Sequence, residues 1–114
     1  SDLQGGCHCG AIKIAVPELP RDILQCNCSL CTKTGWIGGY WRLELVTIRS
    51  SKEALTPYVQ GDKTITAWHC RTCGCVTHWT PITAPPDRMG VNMRMFDWND
   101  WNHIPVIEVD GASF

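Results

Sequence analysis

This chain of 114 residues has no apolar run of membrane-spanning length and no cluster of lysine and arginine. A transmembrane helix needs about 20 consecutive apolar residues, so none is expected. A nucleic-acid surface needs concentrated positive charge. Here 10 basic residues face 11 acidic ones, for a formal net charge of −1. Neither a membrane nor a nucleic-acid partner is therefore expected. There is also no charged start followed by an apolar run, the mark of a secretory signal, and the expectation is a cytoplasmic protein. Long helical periodicity, internal repeats and low-complexity tracts are missing as well. No break in composition divides the chain, so a single domain over residues 1–114 is expected.

Cysteine, by contrast, is abundant. Eight cysteines fall into three tight groups: Cys7-His8-Cys9, then Cys26-Asn27-Cys28-Ser29-Leu30-Cys31, then Cys70-Arg71-Thr72-Cys73-Gly74-Cys75. Neighbours one or two residues apart make poor disulfide partners. In a reducing compartment such patterns bind metal. Zinc held by four thiolates spaces its sulfurs about 3.8 Å apart, given Zn–S bonds of about 2.3 Å. Tight turns reach that spacing at little cost in chain entropy. Four ligands close a structural site, whereas three leave a position open for chemistry. Seven or eight cysteines thus imply two metals. Iron in a rubredoxin-like four-thiolate site is the alternative metal.

The remaining pattern is mostly strand. Residues 11–16 alternate, with Ile12, Ile14 and Val16 on one face. Pro17 and Pro20 bracket a turn, and residues 23–25 lead into the second cysteine group. Residues 36–42 and 43–48 read as strands, with Gly38-Gly39 as a bulge or close approach. Ser50, with Glu53 three residues on, reads as the cap of one helical turn. Gly61-Asp62 reads as a hairpin turn between residues 58–59 and 64–68. Residues 76–80 read as a strand, and residues 81–87 as a proline-rich loop. Val91, Met93 and Met95 suggest a half-buried strand, and residues 106–109 the last one. An all-β fold with short helical turns is expected. Six tryptophans are many for this length; such rings fill a small core or line a pocket.

Gly6-Cys7-His8-Cys9-Gly10-Ala11-Ile12, Cys26-Asn27-Cys28-Ser29-Leu30-Cys31-Thr32-Lys33, Cys70-Arg71-Thr72-Cys73-Gly74 and Gly90-Val91-Asn92-Met93-Arg94 together resemble the glutathione-dependent formaldehyde-activating enzyme family. The same domain is found in centromere protein V. The resemblance implies a β-tent fold with two zinc ions. It places Cys7, Cys9, Cys70 and Cys73 on a structural zinc. It places Cys26, Cys28 and Cys31 on a catalytic zinc with an open position. The implied activity makes or breaks a carbon–sulfur bond: glutathione and formaldehyde combine to S-hydroxymethylglutathione, and the reverse. Spacing alone leaves other pairings open, and the resemblance selects this one. The division agrees with chain entropy, because a zinc joining the first and third groups closes a long loop and constrains the unfolded chain most.

Three thiolates on Zn²⁺ leave the open site net negative, and a soft thiol is its natural fourth ligand. Lys33 and Arg71 are candidates to offset that charge. Arg42, Arg88 and Arg94 are candidates for the carboxylates of glutathione. His8 could support a ligand, and His69 or His78 could carry a proton. Cys75 stands where the family has another residue. It reads as a small buried hydrophobe, a reactive thiol, or a fourth ligand that would close the middle site. Three function classes follow: a zinc carbon–sulfur lyase acting on a small thiol, another activity on the same zinc, or a noncatalytic two-zinc module. The H-x-E and P-C-x-x-C signature of zinc deaminases is absent.

Overall fold

A computed structural model of the chain describes residues 2–59, 64–83 and 87–111. The fold is mostly β, as expected. Strands β1 (Leu3–Gly6), β2 (Lys13–Val16) and β5 (Thr47–Arg49) form one antiparallel sheet in the order β1-β2-β5. The larger sheet contains β3 (Ile23–Cys26), β4 (Gly38–Arg42), β6 (Leu55–Tyr58), β7 (Ile65–Cys70), β8 (Val76–Pro81), β9 (Arg88–Asn92) and β10 (Val106–Val109). Its order is β10-β3-β4-β9-β8-β7-β6. All its pairs are antiparallel except β10 with β3. The described residues include two short helices, α1 (Ser29–Thr34) and α2 (Trp98–Trp101).

The alternation in β2 has its predicted consequence. Ile12, Ile14 and Val16 are fully buried and join Ile23, Val91 and Met93 in the core. Removing each such side chain from water contributes roughly 1.5–3 kcal/mol. Gly38 and Gly39 are not a bulge, since they pair regularly with Asn92 and Val91. They are a close approach. A Cβ on Gly39 would lie 2.8 Å from Met93 Sδ and from the Trp41 ring. The β-bulge sits instead in β7, between Trp68 and His69.

Three local expectations are corrected. Residues 43–48 are not one strand: Leu43–Leu45 is a 3₁₀ turn, closed by the Val46 N–H on the Leu43 carbonyl, and β5 begins only at Thr47. The turn after β5 is Lys52–Ala54, and it follows Ser51 rather than Ser50, with no side-chain cap bond. Met93 and Met95 do not continue the strand of Val91. The buried Asn92 side chain accepts from the Arg94 N–H at 3.2 Å and curls Met93–Met95 into a 3₁₀ turn. Local side-chain bonding of this kind competes with the ladder. The expected turn at Gly61-Asp62 lies outside the described residues, as does part of the 81–87 loop.

Candidate active site

The first and third cysteine groups form two similar turns. After β1, Cys7 N–H donates to Ile12 O at 3.0 Å, and Gly10 turns the chain at φ 84°. After β7, Gly74 N–H donates to Cys70 O at 2.9 Å, with Gly74 at φ 81°. Such a left-handed conformation costs glycine little. Cys7, Cys9, Cys70 and Cys73 thereby meet, all four sulfurs lying within 4.8 Å of one another. The Cys7–Cys9 and Cys9–Cys70 sulfur separations are 3.7 and 3.6 Å. These are far too long for a disulfide of about 2.05 Å and close to the spacing around a four-thiolate zinc.

The second group stands apart. Cys26 ends β3, Cys28 caps α1, and Cys31 sits inside α1. Their sulfurs also lie within 4.8 Å of one another. Cys28 N–H donates to Cys26 Sγ, and Cys31 N–H to Cys28 Sγ, each at 3.4 Å. The parallel neighbour β10 runs beside the site. Val109 pairs with Cys26, and Asn27 N–H donates to Val109 O at 3.1 Å. Gly111 then lies so close that a Cβ there would strike Cys26 Sγ.

The thiols resist joint ionisation, which tests whether the donors suit a cation. In the four-sulfur group, N–H donors of Cys75 and Cys9 pull Cys73 down to about 5. For Cys9 the Ala11 N–H pulls down, but the Cys70 thiol, burial and the Cys7 and Cys73 thiols outweigh it, and Cys9 is pushed up to about 11. In the trio, burial opposes the Cys28 thiolate, yet the Cys31 N–H and the Cys31 and Cys26 thiols hold it below the ordinary thiol range. Burial, then the thiol and charge of Cys28 and the charge of Cys26, push Cys31 above it. Each group favours the thiolate at one cysteine and the thiol at another, through burial and hydrogen bonds among the sulfurs and, in the trio, charge repulsion as well. A cation among the sulfurs takes the place of those protons and stabilises all the thiolates together, so both groups suit a thiophilic metal.

Among the described residues, the trio opens onto a cavity of about 520 Å³. Cys26 and Cys31 are part of its wall, with Leu24 and Val109 beside them. Trp36, Tyr40, Trp68 and Trp79 also line it. Both expectations for tryptophan thus hold: Trp36, Trp68 and Trp79 line the cavity, whereas Trp41 and Trp101 belong to the core. Tyr40, missed in the sequence, is raised above the usual phenol value chiefly by burial. The Trp36 indole works against that rise and the Cys31 charge adds to it. Its only sequence signal is its place after Gly38-Gly39.

The other candidates separate clearly. His69 lines the cavity. His78 does not: it is buried, 2.8 Å from Thr77 Oγ1, stacked on Trp68 and lowered to about 4 by burial. Cys75 interacts with His8, Cys73 and Cys7, at the four-sulfur group, and is not among the trio. Arg71 belongs to the Cys70–Cys73 turn and is exposed, as is His8. Lys33 is exposed in the last turn of α1. Arg42 pairs with Glu44 at 2.8 Å, Arg94 Nε donates to Gly35 O at 2.7 Å, and Arg88 lies over the Tyr40 ring at 5.2 Å.

A mostly β chain with one four-thiol group and one three-thiol group beside a cavity defines a class of small thiolate-site proteins. The chain belongs to the glutathione-dependent formaldehyde-activating enzyme family, which it matches over residues 2–109. It is 32% identical over 87 residues to a Halomonas elongata protein provisionally named a glutathione-dependent formaldehyde-activating enzyme. That match covers 75% of this chain and 47% of the relative, so the chain spans about half of that protein's length. A crystal structure of a Rhodobacter sphaeroides protein is similar to it, with a TM-score of 0.76 and 34% identity. That likeness covers 92% of this chain and 100% of the other.

Proposed function

We propose that this domain is a zinc-dependent carbon–sulfur lyase that joins a small thiol to an aldehyde and reverses the reaction. In the family's name the pair is glutathione and formaldehyde. One observation carries the reading: the group with three thiols rather than four is the one on the cavity wall. In this reading two zinc ions are held per chain. Cys7, Cys9, Cys70 and Cys73 hold the structural one, and Cys26, Cys28 and Cys31 the catalytic one. Zinc on the trio supplies Lewis acidity that favours the ionised form of an incoming thiol.

The rest of the chemistry falls to side chains of the cavity. The substrate thiol loses its proton, and its sulfur pair attacks the aldehyde carbon. A carbon–sulfur bond forms, and the C=O π pair moves to oxygen, which takes up a proton. His69 is the imidazole on the wall that can carry that proton. Tyr40, held protonated by burial, can donate a hydrogen bond to the oxygen as charge develops there.

The test is turnover above the spontaneous thiol–formaldehyde reaction, measured with protein purified without chelator. Tyr40→Phe should lower kcat by roughly 100-fold with metal content unchanged. Rates equal to the spontaneous reaction at every protein concentration would sink the lyase reading and leave a two-metal binding module.

A further inference from the structure

The described wall of the cavity beside the trio is apolar and aromatic apart from its cysteines, Thr34 and His69. Among the described residues its wall holds no Lys, Arg, Asp or Glu. Its volume of about 520 Å³ lies within the range of small-molecule sites, about 300–1,000 Å³. Glutathione brings two carboxylates, and carboxylates are held by guanidinium groups or clustered N–H donors. The arginines do not supply them inside. Arg42 is tied to Glu44 and Arg94 to the Gly35 carbonyl. Arg88 lies over the Tyr40 ring at 5.2 Å and is not among the residues of the wall.

Strand register explains how the apolar surface arises. Tyr40 pairs with Gly90, Gly90 with Trp79, Trp79 with Ala67, and Ala67 with Tyr58. Directly paired residues share a face of a sheet. Five adjacent strands therefore put one row on one face, in which wide aromatic residues alternate with the two smallest residues. Every member except Gly90 lines the cavity. Gly90 makes room for the Trp79 indole, whose Cε2 would lie 2.6 Å from a Cβ at that position. Ala67 leaves a gap between Trp79 and Tyr58 of the kind that accepts a flat apolar ring.

We propose that the thiol this site takes carries an apolar, ring-sized group instead of the charged peptide of glutathione, with that group held over Ala67 by the aromatic row while its sulfur reaches Cys26, Cys28 and Cys31. The proposal rests on the lyase reading for the role of the trio and names its substrate class.

Cobalt-substituted whole chain, titrated without oxygen, tests it through two binding signals. These are the cobalt–thiolate charge-transfer band and tryptophan fluorescence. The probes are phenylmethanethiol, 2-mercaptoethanol and glutathione. Phenylmethanethiol should saturate both signals at a concentration at least tenfold below glutathione, with 2-mercaptoethanol the weakest. Ala67→Leu, which fills the gap, should raise the phenylmethanethiol midpoint at least tenfold while cobalt content stays the same. Glutathione binding as tightly as phenylmethanethiol would overturn the proposal, as would a metal-loaded Ala67→Leu protein with unchanged preference. A lack of response to any thiol would overturn it too. Formaldehyde turnover keeps the two readings apart. The binding preference without turnover supports this proposal and removes the lyase. Turnover with glutathione preferred removes this proposal and leaves the lyase.

Discussion

Gly111 shows how much a single missing Cβ can decide. Its backbone lies against Cys26 and Cys28, and a Cβ there would press on Cys26 Sγ and approach Cys28 Cβ to 3.4 Å. Gly111→Ala should therefore displace one donor of the trio. Its metal should bind at least tenfold more weakly in competition with a chelator, with the four-thiol group still loaded; equal affinity would show that the sulfur can give way. His78 governs acid stability at the same scale. Burial lowers it to about 4 from its ordinary 6.5. Between those values the unfolded chain binds a proton that the folded chain refuses, so stability falls as pH drops through this window. The loss reaches roughly 3 kcal/mol near pH 4. Denaturant midpoints against pH should show it, and His78→Gln should flatten the slope. Metal content is followed in parallel, because thiolates also take up protons.

At the scale of elements, the two sulfur groups are built differently and should fail differently. The four-thiol group ties the turn after β1 to the end of β7, and Cys9 and Cys70 are 61 residues apart. A metal there closes a long loop and contributes directly to folding. The trio is local to the β3–α1 junction. Cys73→Ser should cost several kcal/mol, lowering the thermal midpoint by 10 °C or more, on the order of 4–8 °C per kcal/mol. Cys28→Ser should remove one metal and leave a folded domain within a few degrees of the parent. Equal losses in the two variants would argue against the division into structural and catalytic sites. Asn92 is the other device at this scale. It is buried, donates to Val76 O at 2.8 Å, and accepts from Arg94 N–H, so it both ends β9 and ties that turn to β8.

Across the whole molecule, the seven clustered thiols imply a metal count. Protein purified without chelator should contain two zinc ions per chain by elemental analysis, with a value between one and two if the three-ligand site is partly stripped. One metal or none, together with disulfides by mass spectrometry, would contradict both sites. The absence of any helix long and apolar enough to span a membrane, among the described residues, agrees with the lack of apolar runs.

How much of this was legible beforehand depended on whether the signal was local. The cysteine spacing, the alternation of Ile12, Ile14 and Val16, and the family resemblance are local patterns, and they identified the metal ligands to test, the β class and the family. Spacing alone did not choose how the groups combine, because ligand pairing depends on which strand ends meet. The tight turns at Gly10 and Gly74 and the course of β7 bring Cys9 to Cys70. The cavity was not legible either. Its aromatic row is spread over five strands, and a register shift of one residue would turn each side chain to the other face. Where Cys75, His69 and His78 lie was likewise a matter of register. The β7 bulge, β8 and the knuckle after β7 leave His69 on the cavity wall, His78 buried and Cys75 beside the four-thiol group. Composition determined that thiolate chemistry was available; tertiary packing decided which thiols face an apolar cavity, because only folding brings residues distant in the chain onto one surface.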